Sequence, residues 1–314
     1  MIKVVFMGTP DVALPVLDKL NQSPENEIVG VYTAPDRQSG RGKSITMPPV
    51  KVFAQDHGLP VSQPVTLRDI NVQLELAALQ PDIIVVAAYG RFLPTPILGI
   101  PRYGCLNIHP SLLPLYRGPS PVISSMLSDD KVTGTTLMLL DEGMDSGPII
   151  KQLEVAIGPT DTAESLTASL FTLGADLLTE HINPWVSGSI TPHAQNESLA
   201  TITRKIEKAD GEVNWATEGL KLERQCRAFT PWPGLYTHWN NKLIKLLEVK
   251  VELDTHGIND EPGRVIDLQN PDVPVGIVTG DGILVVKRLQ IEGKPPTSIK
   301  QFLAGYPDFR GVLL

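Results

Sequence analysis

The first half of the chain alternates short apolar runs with stretches of helical period, and this rhythm restricts the fold more than any other property of the sequence. Ile2–Met7, residues 27–33 and Asp82–Ala88 are rich in Val and Ile and too short for helices of useful length. Helical patterns over 11–21 and 68–79 precede the second and third of these runs. Further along, a strand ends at Asn107, a helix follows near 119–127, strands cover 133–140 and 149–156, and a long helix covers 162–187. Strand and helix in alternation predict an α/β domain over residues 1–188, Rossmann-like, with a mostly parallel sheet and helices on both faces.

Past a polar stretch read as a linker (189–206), the pattern changes. A helix near 217–228 is followed by short strand-like runs at 242–253, 263–268, 274–279 and 283–291. Gly280-Asp281-Gly282 between two of them is a hairpin signal. Residues 207–314 are therefore expected to form a small, OB-like β-barrel domain. A length of 314 residues suits two domains that each bury a core.

Composition excludes several classes. Apolar content of 42% with 20% charged residues is that of an ordinary globular protein. No apolar stretch nears the ~18 residues of a membrane span, and no basic-then-apolar leader precedes the first strand. A cytoplasmic monomer with no membrane partner is expected. Cys105 and Cys226 lie too far apart in sequence to read as a metal motif or a disulfide framework, and no HxxxH or HxH pair occurs, so no metal is expected. The net charge of −8 argues against broad nucleic-acid affinity. Residues 207–314 hold 13 Lys and Arg against 15 Asp and Glu, so any nucleic-acid contact there must be local.

Residues 107–118, Asn-Ile-His-Pro-Ser-Leu-Leu-Pro-Leu-Tyr-Arg-Gly, carry the chemistry. Asn107 and His109 stand two apart, on one face of a strand that Pro110 stops. They therefore project together at a strand's carboxyl end, where open α/β sheets hold their ligands. An amide can donate to a developing oxyanion, and an imidazole can move a proton near neutral pH. The pair suits acyl transfer. In Asp141-Glu-Gly-Met-Asp-Ser-Gly147, either Asp145 or Asp141 is placed to approach the histidine.

Two glycine-containing turns lead elsewhere. Gly8-Thr9-Pro10-Asp11 has one glycine where a dinucleotide fingerprint needs three. Pro35–Ser44 ends in GRGKS, but Arg37 occupies the position of the first P-loop glycine, which breaks that motif. What remains is a basic loop with Arg37, Arg41 and Lys43, suited to phosphate or a nucleic-acid backbone. Gly-x-Ser-x-Gly is absent, against an α/β-hydrolase nucleophile.

Asn107, His109, the Ser111-Leu-Leu-Pro114 loop, Arg117-Gly118 and Asp145 together closely resemble the marks of the folate-dependent formyltransferases. Pro110 stands where many relatives have glycine. The resemblance is sharper to the branch acting on methionyl-tRNA and spans nearly the whole chain. It includes Phe6–Asp11, Pro35-Asp-Arg37 with Gly40-Arg-Gly-Lys43, Ala88-Tyr-Gly90, Arg227-Ala-Phe-Thr-Pro-Trp-Pro233 and Thr279–Ile283.

That resemblance implies 10-formyltetrahydrofolate as formyl donor and initiator methionyl-tRNA as acceptor, with Asn107, His109 and Asp145 catalytic. It implies a folate pocket from the 88–93 loop and the SLLP loop: Ser111, Leu112, Leu113 and Pro114, with Arg91, Phe92 and Leu93 as further candidates. Arg41, supported by Lys43 and Arg37, would meet the tRNA, and Lys242, Lys245, Lys287 and Arg288 are candidates on the second domain. A rival reading is a formyltransferase for nucleotide-linked amino sugars, a group that lacks the GRGK-type insertion. A catalytically silent folate- or tRNA-binding module is disfavoured by the intact Asn107, His109 and Asp145.

Overall fold

The computed structural model describes residues 1–39, 44–253 and 260–314. They form two compact units. The first comprises Met1–Pro121, Lys131–Ile157 and Leu166–Arg204; the second comprises Val122–Asp130, Gly158–Ser165 and Lys205–Leu314. No helix among the described residues is long and apolar enough to cross a membrane.

In the first unit the strands are β1 (Ile2–Gly8), β2 (Asn26–Tyr32), β3 (Arg37–Ser39), β4 (Ser44–Thr46), β5 (Val61–Ser62), β6 (Ile83–Ala87), β7 (Cys105–His109), β8 (Val132–Leu139) and β9 (Ile149–Ala156). Seven of them make one sheet in the order β5-β2-β1-β6-β7-β8-β9, and β3 pairs with β4 in a separate antiparallel ribbon. From β5 to β7 every pairing is parallel, whereas β8 runs antiparallel to β7, and β9 to β8. The expected mostly parallel α/β sheet is present. Its chain order reverses between β1 and β6, which puts a topological switch point one strand away from β7.

The central strands read as continuous apolar runs because both faces are covered. Val4 and Phe6 of β1 and Ile83, Val85 and Ala87 of β6 enter one core, while Val5, Met7, Ile84 and Val86 enter a second on the opposite face. In β7 the same alternation sends Leu106 and Ile108 into the first core, with Phe171, Ala175 and Leu178 of the long helix Ala163–Val186. Gly174 on that helix permits a close approach: a Cβ there would press on Ile108 and Thr135. Anchoring Ile108 this way leaves its neighbours Asn107 and His109 on the other face.

The second unit holds β10 (Leu235–Trp239), β11 (Lys242–Glu252), β12 (Val265–Asp267), β13 (Val275–Val278), β14 (Ile283–Ile291) and β15 (Thr297–Ser298). They form an antiparallel half-barrel sheet ordered β10-β11-β14-β13-β12, with β15 against β14. Its core joins Leu222 and Cys226 of the helix Gly219–Ala228 to Trp239, Ile244, Leu246, Leu284 and Phe302. The Gly280–Gly282 turn joins β13 to β14 as expected. Its Asp281 carboxylate accepts the Gly219 N–H at 2.7 Å, capping a helix N-terminus.

Candidate active site

Asn107 and His109 occupy the carboxyl end of β7, 9% and 4% exposed. The Asn107 amide has no hydrogen-bond partner among the described residues. Its amide tip stays open at the strand end, so its donors suit a ligand or reacting atom. His109 is held on both sides. Nε2 lies 3.0 Å from the Tyr116 carbonyl, and Nδ1 lies 3.6 Å from Oδ2 of Asp145. A carbonyl only accepts, so Nε2 carries the proton and Nδ1 presents its lone pair on the Asp145 side. Burial pushes the His109 pKa below the ordinary histidine range, opposed by the Asp145 charge and the Tyr116 bond. The ring is thus neutral at pH 7 and stands ready to accept a proton.

Of the two aspartates considered from sequence, Asp145 is the one beside the imidazole. Its carboxylate also accepts the Gly118 N–H at 2.7 Å, and its backbone takes a left-handed φ of 50°. Asp141 instead holds its own loop, accepting from Gly143 N–H at 3.0 Å and Ser146 Oγ at 2.8 Å.

The SLLP loop is braced against β8 and β9. Ser111 Oγ donates to the Leu115 carbonyl at 2.7 Å, and Thr136 Oγ1 donates to the Ser111 carbonyl at 2.6 Å. Gln152 Nε2 donates to the Leu113 carbonyl at 2.9 Å. Leu113 is buried with Met138 and Ile149. Leu112 covers Gly134, where a Cβ would strike it, and Pro114 is half-buried. These contacts fix the loop's backbone and occupy most of its main-chain polar groups.

Around β6 the candidates diverge. Arg91 donates to the carbonyls of Pro64 and Val65 at 2.7 and 3.1 Å. Phe92 is 65% exposed, and Leu93 packs into the core with Tyr89 and Ile97. Arg37 is exposed on β3, while Arg41 and Lys43 lie outside the described residues. Asp36, just before β3, is tied to Lys51 at 2.6 Å and to Gln63 at 2.8 Å, which fixes the entry to the basic loop. In the second unit Lys242, Lys287 and Arg288 are exposed and Lys245 is half-buried, with Lys287 3.3 Å from Glu248.

Sequence reasoning missed an ion-pair network behind Asp145. Arg117, 5% exposed, grips Glu197 with two hydrogen bonds of 2.7 and 2.9 Å and gives two more to Oε1 of Gln195. Both partners come from the stretch read as a linker. Arg117-Gly118, just after the SLLP loop, was the available signal; its partners, some eighty residues away, left none.

The fold is that of a formyl transferase. The formyl transferase family model matches residues 2–182, and the formyl transferase C-terminal domain matches 205–307. Methionyl-tRNA formyltransferase of Chloroflexus aurantiacus is 45% identical over 96% of each chain. The enzyme of that name from Dehalococcoides mccartyi is 42% identical over 100% of this chain and 98% of its own. The chain belongs to the methionyl-tRNA formyltransferase family. Solved structures share the fold at lower identity. An N-formyltransferase from Helicobacter canadensis in complex with folinic acid and dTDP-3-aminofucose superposes with a TM-score of 0.67 at 19% identity, over 91% of this chain and 98% of its own. HypX from Aquifex aeolicus in complex with tetrahydrofolic acid gives 0.62 at 18% identity, over 96% of this chain and 47% of its own.

Proposed function

We propose that the protein transfers the formyl group of 10-formyltetrahydrofolate to the amino group of initiator methionyl-tRNA. One observation carries the chemistry: the unpartnered Asn107 amide shares a strand end with an imidazole whose Nδ1 lone pair lies on the Asp145 side. Asn107 donates to the oxyanion that develops as the amine adds to the formyl carbon. His109 takes the amine's proton at Nδ1 and returns it to the departing folate nitrogen. Asp145 stabilises the imidazolium between those two events, while the Tyr116 carbonyl keeps the ring from turning.

Residues 1–188 carry this reaction in the proposal, and 207–314 help hold the tRNA. The SLLP loop and backbone groups of residues 88–93 receive the pterin in the proposal, since a flat heteroaromatic ring suits an apolar wall with a few polar groups at its edge. Arg41, Lys43 and Arg37 meet the acceptor end through phosphates. Incubation with labelled formyl donor and charged initiator or elongator methionyl-tRNA tests the assignment. Label on the initiator in preference to the elongator is expected; label on neither, despite folate binding, would overturn it.

A further inference from the structure

Three consecutive residues, Tyr116, Arg117 and Gly118, reach both partners of the proposed proton relay. The Tyr116 carbonyl accepts from His109 Nε2, the Gly118 N–H donates to the Asp145 carboxylate, and Arg117 between them turns to Gln195. Left-handed φ values of 61° at Tyr116 and 100° at Gly118 let these groups point in different directions. The tripeptide is itself held by residues 201–203. Thr201 Oγ1 accepts from Tyr116 N–H at 2.7 Å, the Thr201 carbonyl from Arg117 N–H at 2.9 Å, and the Arg117 carbonyl from Thr203 N–H at 2.7 Å.

Gln195 is the junction. Its Oε1 accepts from Arg117 Nε and Nη2 at 3.0 and 2.9 Å, and its Nε2 donates to the Asp145 and Gly147 carbonyls at 2.8 and 2.7 Å. A guanidinium only donates and a carbonyl only accepts, so this position requires a side chain with an acceptor at one end and two donors at the other. Glutamine meets that requirement; glutamate would aim a carboxylate at two carbonyl oxygens. Gln195 is 9% exposed and three of its four bonds are buried, where a missing partner is costly.

We propose that Gln195 is a positioning residue for the formyl transfer: clamped by Arg117, it fixes the left-handed backbone at Asp145 and so sets the carboxylate against His109. The segment after the long helix is thereby part of the catalytic apparatus. This inference rests on the proposed role of Asp145 as partner to His109.

Gln195→Met removes every polar group at the junction; Gln195→Glu keeps the acceptor for Arg117 and repels the two carbonyls. Each is compared with wild type and with Asp145→Asn for kcat, for KM toward the formyl donor, and for the pH dependence of turnover. A displacement of about 1 Å at Asp145 is expected to lower kcat on the order of 10²-fold in both variants, with donor KM little changed. Asp145 is the charged group bearing on the His109 ring, and Tyr116 adds its carbonyl. As the carboxylate drifts away, the acid limb of the profile moves to lower pH, a change that lost fold stability alone would not cause. If the Met variant fails to fold, the Glu variant carries the same comparison. Wild-type kcat and profile in a folded Gln195 variant, with Asp145→Asn impaired, would overturn the positioning role. Wild-type turnover in Asp145→Asn would instead overturn the underlying reading.

Discussion

Nδ1 of His109 lies 3.6 Å from Oδ2 of Asp145, too far for a direct hydrogen bond and near enough for strong Coulomb coupling in a buried site. The carboxylate therefore acts on the imidazole chiefly through charge. Asp145→Asn keeps the shape and an acceptor for the Gly118 N–H but removes that charge. Turnover should fall about 10²-fold. The acid limb of the pH profile, where protonation silences the base, should move to lower pH, because the larger of the two influences that raise the His109 pKa is gone and only the Tyr116 bond remains. Steady-state rates across the neutral and acidic range check both.

Burial also ties His109 to stability. Its pKa in the folded protein is depressed below the ordinary 6.5, so the unfolded chain binds the extra proton first. The stability held by the neutral ring is complete above 6.5 and is lost as pH falls through the folded-state value. Urea unfolding on either side of 6.5 should show wild type losing more stability on acidification than His109→Gln.

Much of this site was legible because its parts are local. Two residues at spacing two before a proline define the Asn107–His109 face, and the core positions of Leu106 and Ile108 follow from the same period. Residue pattern by itself left Asp141 and Asp145 open and only the family resemblance singled out Asp145, because the loop geometry that turns it toward the imidazole, at φ 50°, is not written in any period. Gln195 was invisible because its partner Arg117 is 78 positions away and no period encodes that contact. In the second unit, β10 and the short helix Ile299–Gly305 escaped for another reason. Five and seven residues are too few for a period to stand out, and Trp239 and Phe302 find their meaning only in the shared core.

The basic loop carries a separate expectation. Replacing Arg37, Arg41 or Lys43 with Ala should raise KM for tRNA while leaving kcat at saturation little changed. Each lost phosphate contact should flatten the dependence of log affinity on log salt by about 0.7–1. Filter binding across a salt series reads this directly, and an unchanged slope in all three variants would remove the loop from the interface.

Neither cysteine is expected to take part in the reaction. Burial pushes the thiols of Cys105 and Cys226 up to about 12, so almost no thiolate exists near neutrality. A thiol reagent should leave both unmodified in the native protein without loss of activity, and should label both once denaturant is added.

The central claim, that the Asn107 amide stabilises the oxyanion of formyl transfer, is tested most directly by single-turnover formylation in Asn107→Ala, with donor affinity measured in parallel. A missing oxyanion donor should slow the chemical step by about 10²–10³-fold while the donor still binds. A single-turnover rate near wild type would contradict it.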